Sequence, residues 1–195
     1  MTTATQSTIL DHWFTEQDLR RRITRRRNQI SDMLGEQAKL FFEWEDDNCQ
    51  PVVISPISQI PPEHADIIRR IKSDFKPKMC YNNATTVSTV IGCDYVEGYA
   101  TNGILTYAHA WNAIGDINFD VTDELVLNGA QSPYPADPNY MQIVRVSNRD
   151  TLRLVLKTGT YGDVKGTMFA ETVLKLKSKK AIKQFLNNYW VHIES

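Results

Sequence analysis

A chain of 195 residues with 42% hydrophobic and 23% charged side chains has the make-up of an ordinary globular protein, with apolar material for one core and room for an added subdomain. Its formal net charge of −1 excludes a molecule built as a whole to hold polyanions, and no apolar run approaches the roughly 20 residues that a membrane helix needs. Three cysteines, Cys49, Cys80 and Cys93, are an odd number without framework spacing, which suits free thiols in a reducing cytoplasm.

Residues 1–7 are polar and expected to fray, and no charged segment followed by an apolar block marks a secretory signal. Thr15 can cap a helix with Glu16 and Asp18 in its first turn, and Leu19, Ile23, Ile30, Met33 and Leu34 follow helical spacing up to Gly35. Arg20, Arg21, Arg22, Arg25, Arg26 and Arg27 crowd the other faces of that helix. They read either as a contact surface for an acidic or nucleic-acid partner or as a solvated face, and the lack of interleaved aromatics favours the second. Leu40 to Trp44 should be buried as a helix end or a strand, with Glu45 to Asn48 a loop. The Asp46-Asp47 pair in that loop lacks the further oxygen ligands of a metal site. Val52 to Ile54 is a short strand candidate, and Pro61-Pro62 introduces a helix over Glu63 to Ser73 with Ile67, Ile68 and Ile71 on its apolar face. Residues 1–75 thus read as a mostly helical extension packed on a core of residues 76–195.

The core opens with an extended lead-in before Pro77 and then Cys80. Ala84, Val87, Val90 and Ile91 have helical spacing, and Gly92 is a natural stop. The run is rich in threonine and valine, mediocre helix formers, so tertiary packing must hold it. Cys93, beside the stop, reads as a small buried hydrophobe. From Asp94 the pattern turns to strands over Tyr95 to Ala100, Leu105 to Ile114 and Ile117 to Val121, with turns at Asn102-Gly103 and Gly115-Asp116. A two-residue turn at Gly115-Asp116 pairs Ile114 with Ile117, Asn112 with Phe119 and Trp111 with Asp120. His109 and Asp120 then share a face as diagonal neighbours, roughly 7–8 Å apart at the backbone.

Asn128 to Asn139 reads as a loop from which Tyr134, with Tyr140 just beyond it, could line a cleft or pack. Tyr140 to Val146 and Leu152 to Leu156 read as strands joined around Asn148-Arg149-Asp150, and Thr158 to Thr167 as a flexible glycine-containing segment without the Lys-Ser pairing of a phosphate loop. Ser178 can cap a last helix, Lys179 to Tyr189. The lysines from Lys175 to Lys183 are a second basic cluster, read as a solvated face.

A thiol opening a helix, an imidazole on a strand and a carboxylate on the next strand suit a nucleophile, its base and the group that orients the base. The first turn of a helix favours a thiolate, and an adjacent imidazolium favours it further. At these residues the chain resembles the transglutaminase-like group of the papain-like cysteine enzymes. The resemblance lies in Cys80 at the core helix, Tyr95 to Tyr99, His109-Ala110-Trp111, and Asp120-Val121-Thr122, with Val121 where proline is common in the family. It spans about 45 residues of the 195, and the His-Ala-Trp and Asp-x-Thr pair is its most specific part.

That resemblance implies an α+β fold, a papain-like or transglutaminase-like core whose cysteine-bearing helix packs on an antiparallel β-sheet, with the helical extension before it. It also implies a cofactor-free acyl-transfer enzyme acting on a peptide, protein or other acyl substrate. Cys80 would be the nucleophile, His109 the base and Asp120 the orienting acid, with Tyr81, Asn83 and Trp111 as substrate contacts, although Trp111, on the His109 side of its strand, reads more simply as packing. The Cys80 backbone N–H is the expected oxyanion donor. No side chain is identified as the second, with Asn82 and Asn83 the nearest amides. The alternatives are an inactive module of the same fold that holds a partner through its arginines, a zinc site of Cys80, His109 and Asp120, and a chance grouping of unrelated residues.

Overall fold

The structure, a computed structural model, describes residues 17, 20–25, 27–28, 35–101, 106–127, 140–159, 162–164 and 173–189. Residues 20–25 and 27–28 are helical, and the edge strand β1 (Gln50–Val52) follows the first long helix, α1 (Glu36–Asn48). Past Gly92 the alternating apolar pattern forms β2 (Asp94–Thr101) and β3 (Thr106–Ile114), paired antiparallel from Asp94 with Ala113 to Thr101 with Thr106. The Gly115-Asp116 turn leads into β4 (Ile117–Phe119), with Ile114 opposite Ile117 and Asn112 opposite Phe119, the register expected of a two-residue turn. The last strand, β5 (Tyr140–Val146), lies between β1 and β2, giving an antiparallel five-stranded sheet in the order β1-β5-β2-β3-β4. The fold is α+β. Within the stretch before residue 75, β1 lies slightly before the short strand expected at Val52 to Ile54 and completes one edge of the sheet.

Alternation along β2 divides the core between the two sheet faces. Tyr95 and Tyr99 join Ala110, Met141, Leu40, Phe41, Trp44 and Ala84 on one face, beneath α1 and the helix α3 (Cys80–Ile91). Val96 and Ala100 join Trp111, Ala113 and Tyr140 on the other. A third cluster, with Ile57, Ala65, Ile68, Val87, Phe119 and Val121, wedges α2 (Pro62–Arg70) against α3 and the end of β4. At Gly98 a Cβ would lie 1.9 Å from the Met141 carbonyl oxygen and 2.8 Å from the Trp111 ring, so only glycine lets the indole lie across β2.

Several elements differ from the sequence expectation, each for a local reason. Glu45 to Asn48 continue α1 rather than forming a loop, because buried Glu45 takes the Arg27 guanidinium at 2.8 Å. The expected strand Leu152 to Leu156 is part of a helix, α4 (Asn148–Thr158). Ser147 caps it, its Oγ accepting the Asp150 N–H at 3.2 Å and donating to the Asp150 carboxylate at 2.8 Å. A capping signal that reads as a joint between strands is in fact a helix start. The hairpin is shorter than expected: Asp120 leaves the ladder and Thr122–Val126 form a π-turn, so Val121 is not a strand residue. Helix α2 ends at Arg70, followed by a single 3₁₀ turn at Lys72–Asp74. The last helix, α5 (Lys179–Tyr189), begins after Ser178, whose Oγ accepts the Ala181 N–H at 3.1 Å. The expected turn at Asn102-Gly103, most of the glycine-containing segment after Thr158, Tyr134 and the helix start at Thr15 lie outside the described residues. No helix among the described residues is long and apolar enough to cross a membrane.

Candidate active site

Three elements meet at the imidazole of His109. Helix α3 begins at Cys80, preceded by a turn in which Lys78 adopts the left-handed region, φ 63°. Such a conformation costs a non-glycine residue about 1–3 kcal/mol and is held only where surrounding contacts impose it. The residue before the helix, Met79, provides no side-chain cap, so the first-turn N–H groups around Cys80 are left without one. Cys80 is partly buried, and its thiol is near enough to His109 to favour the imidazolium.

His109, only 5% exposed, places Nε2 2.6 Å from Asp120 Oδ2. With Nε2 on the carboxylate, Nδ1 is the nitrogen left for the thiol. Aromatic rings surround the imidazole. Tyr107 stands edge-on to it with centroids 5.5 Å apart, Trp111 is stacked at 6.3 Å and Tyr140 is edge-on at 5.9 Å.

Asp120, 1% exposed, is satisfied on both oxygens. Its Oδ2 also accepts the Tyr140 hydroxyl at 2.9 Å, and its Oδ1 accepts the backbone N–H groups of Thr122 at 2.8 Å and Asp123 at 3.2 Å. The π-turn after β4 is what aims those two N–H groups back at the carboxylate. Burial alone would push Asp120 up, but His109, the Tyr140 hydroxyl and the Asp123 N–H outweigh it and hold the carboxyl below its usual value. Burial likewise opposes the imidazolium, yet the Asp120 carboxylate and then Cys80 push His109 up to about 10. The two shifts agree, describing an ion pair stable in a dry pocket because each partner satisfies the other.

Cys80, His109 and Asp120 therefore come together. The three residues expected to touch substrate are placed differently. Asn83 is 2% exposed and its amide is fully engaged: Oδ1 accepts the Lys76 N–H at 3.1 Å, and Nδ2 donates to the Lys76 carbonyl at 2.9 Å and to Thr122 Oγ1 at 3.1 Å. It is a clip between the cysteine-bearing helix and the Asp120 turn, not a substrate contact. Trp111 is fully buried, with its indole N–H on Asn118 Oδ1 at 3.1 Å, and supports the imidazole from behind. Tyr81 is partly buried against the core, and Gly162 lies so close that a Cβ there would come within 2.4 Å of the Tyr81 Cβ.

Tyr140, which the sequence offered as lining a cleft or packing, donates its hydroxyl to Asp120 instead. Its pairing with Ala100 across β2 brings it to Asp120, and that non-local register has no local signal. Tyr107 had one: it stands two residues before His109 on β3 and so shares its face. As for metal binding, no group of three or more His, Cys, Asp or Glu side chains among the described residues is arranged to hold an ion. His109 and Asp120 are joined to each other rather than turned toward a shared third point.

The other two thiols are buried, whereas Cys80 is only partly so. Burial pushes Cys49 up to about 11 and Cys93 up to about 12. The arginine run is divided as well. Arg27 is 2% exposed, paired with Glu45 at 2.8 Å and with Asp46, and its guanidinium lies 5.1 Å from the Tyr99 ring centre. Arg20 donates to the Cys49 carbonyl at 2.9 Å. At Arg27 the acidic groups are the protein's own Glu45 and Asp46, while Arg21, Arg22 and Arg25 are exposed. Compared with family models, with curated proteins and with solved structures, the chain matches none.

Proposed function

We propose that the protein is a cysteine-dependent acyl-transfer enzyme of transglutaminase-like or papain-like type, acting on an amide or related acyl bond. The observation that carries the reading is the convergence of the Cys80 thiol and the Asp120 carboxylate on one buried imidazole. The Cys80 thiolate attacks the carbonyl carbon, and the developing oxyanion is met by the Cys80 backbone N–H at the uncapped helix start. Collapse of the intermediate breaks the C–N bond, and the departing amine takes a proton from the His109 imidazolium. The neutral imidazole then accepts a proton from water or an amine attacking the thioester. An acid or a new amide is released and the thiolate–imidazolium pair is restored. Asp120 holds the tautomer and the ring orientation throughout. The acyl acceptor decides between hydrolase and transferase.

The test is a panel of peptide, amide and ester substrates, with mass-spectrometric capture of a thioester on Cys80. We expect an adduct on Cys80 alone, absent in Cys80→Ser and His109→Ala. Substrate turnover that survives Cys80→Ala would refute the reading.

A further inference from the structure

Tyr107 is an aromatic residue of this site whose polar end is unused among the described residues. Tyr140 donates its hydroxyl to Asp120 and Tyr95 donates to Glu97, as buried phenols generally must. The Tyr107 hydroxyl makes no hydrogen bond among the described residues, nor is it sealed from solvent as a buried orphan. Its ring is fixed edge-on against His109 at 84°, on the sheet face that carries the imidazole. Its phenol lies in the same electrostatic neighbourhood as Cys80, Asp120 and Asp123. Burial, then the two carboxylates and the thiol, push it up to about 12, so it stays a proton donor across the neutral range.

An open donor held edge-on against the His109 imidazole matches what the acyl-transfer reading still lacks, since one backbone N–H leaves an oxyanion half-coordinated. We propose that the Tyr107 hydroxyl is the second oxyanion donor, meeting the carbonyl oxygen of an acyl group on Cys80 opposite the Cys80 backbone N–H. The inference rests on the acyl-transfer reading of the same site.

The test compares two reactions of the Cys80 thiol in the full chain. Iodoacetamide alkylates by displacement at a saturated carbon and builds no oxyanion. With p-nitrophenyl acetate, the thiolate adds to the ester carbonyl, the C–O bond to p-nitrophenolate breaks and an acetyl thioester remains on Cys80, by way of a tetrahedral oxyanion. Tyr107→Phe keeps the ring against His109 and removes only the hydroxyl. We expect it to alkylate at the wild-type rate while acetylating about 100-fold more slowly, the usual loss for one oxyanion donor. Tyr140→Phe, which acts through Asp120 and the imidazole, should slow both reactions together. Unchanged acetylation in Tyr107→Phe, or equal loss in both reactions, overturns the assignment. A separate failure is recognisable: wild-type Cys80 acetylating no faster than in His109→Ala overturns the acyl-transfer reading itself and the inference with it.

Discussion

Asp120 is the most constrained side chain of the site, with four hydrogen-bond donors around two oxygens and 1% exposure. Asp120→Asn keeps the shape but removes the charge that sustains the imidazolium, and should cut turnover by about 10²–10⁴-fold, the range for a general acid–base contribution. Tyr140→Phe removes one bond to a charged group and should cost about 1.5–3 kcal/mol in urea unfolding. Thiol labelling tests the nucleophile without any substrate. At neutral pH iodoacetamide should modify Cys80 well before the buried Cys49 and Cys93, and His109→Ala should erase that lead. Equal labelling of all three would count against a special thiol. At this scale the candidate residues could be read from the chain, because cysteine, histidine and aspartate carry their chemistry in the side chain itself. Their helpers could not: whether Tyr140 orients an acid or fills a core depends on which strand lies beside it.

Among the elements, α3 and the turn after β4 matter most, and Asn83 ties them together through Lys76 and Thr122. Asn83→Ala should cost about 1–3 kcal/mol, since it leaves buried partners unsatisfied, and should lower acylation more than that loss of stability explains. Measuring the rate at a temperature where the variant is fully folded separates the two effects. Gly98→Ala forces a methyl into the Met141 carbonyl and the Trp111 ring, and should fail to accumulate as folded protein. The Gly115-Asp116 turn made the β3–β4 register readable, because a two-residue connection leaves one pairing that keeps apolar residues on the core face. The same reasoning overran at Val121. Nothing in alternation says where a ladder stops, and here backbone N–H groups leave it to bind the Asp120 carboxylate. The misread strand at Leu152 to Leu156 has a similar cause. A short apolar run fits both periods, and the Ser147–Asp150 cap decides between them.

For the whole molecule, the ion pair at the site makes stability depend on pH. His109, raised from 6.5 to about 10 in the folded state, contributes stability that is complete below about 6.5 and fades as pH rises toward 10. Asp120, lowered from 3.8, contributes stability that is complete above that value and is lost as pH falls through its folded pKa. Urea unfolding across pH 4–10 should therefore show a decline on the alkaline side that His109→Gln removes. The N-terminal helical residues are docked by an internal charge cluster. Arg27→Ala removes the cation beside the buried Glu45 carboxylate and should cost about 3–5 kcal/mol, whereas Arg25→Ala, at an exposed position, should change stability by less than about 0.5 kcal/mol.

Periodicity and turn chemistry by themselves determined the cysteine at a helix start and the hairpin that pairs Asn112 with Phe119, and the family resemblance implied the α+β class and the candidate trio Cys80, His109 and Asp120. All of these are local, or follow from one short connection. Only the tertiary structure decided that β1 and Tyr140 come to the sheet from distant parts of the chain, that Asn83 and Trp111 are buried with their polar atoms bonded inside the fold, and that Arg27 turns inward. Each of those outcomes depends on which buried groups find a partner across the fold, and local sequence carries no record of that pairing.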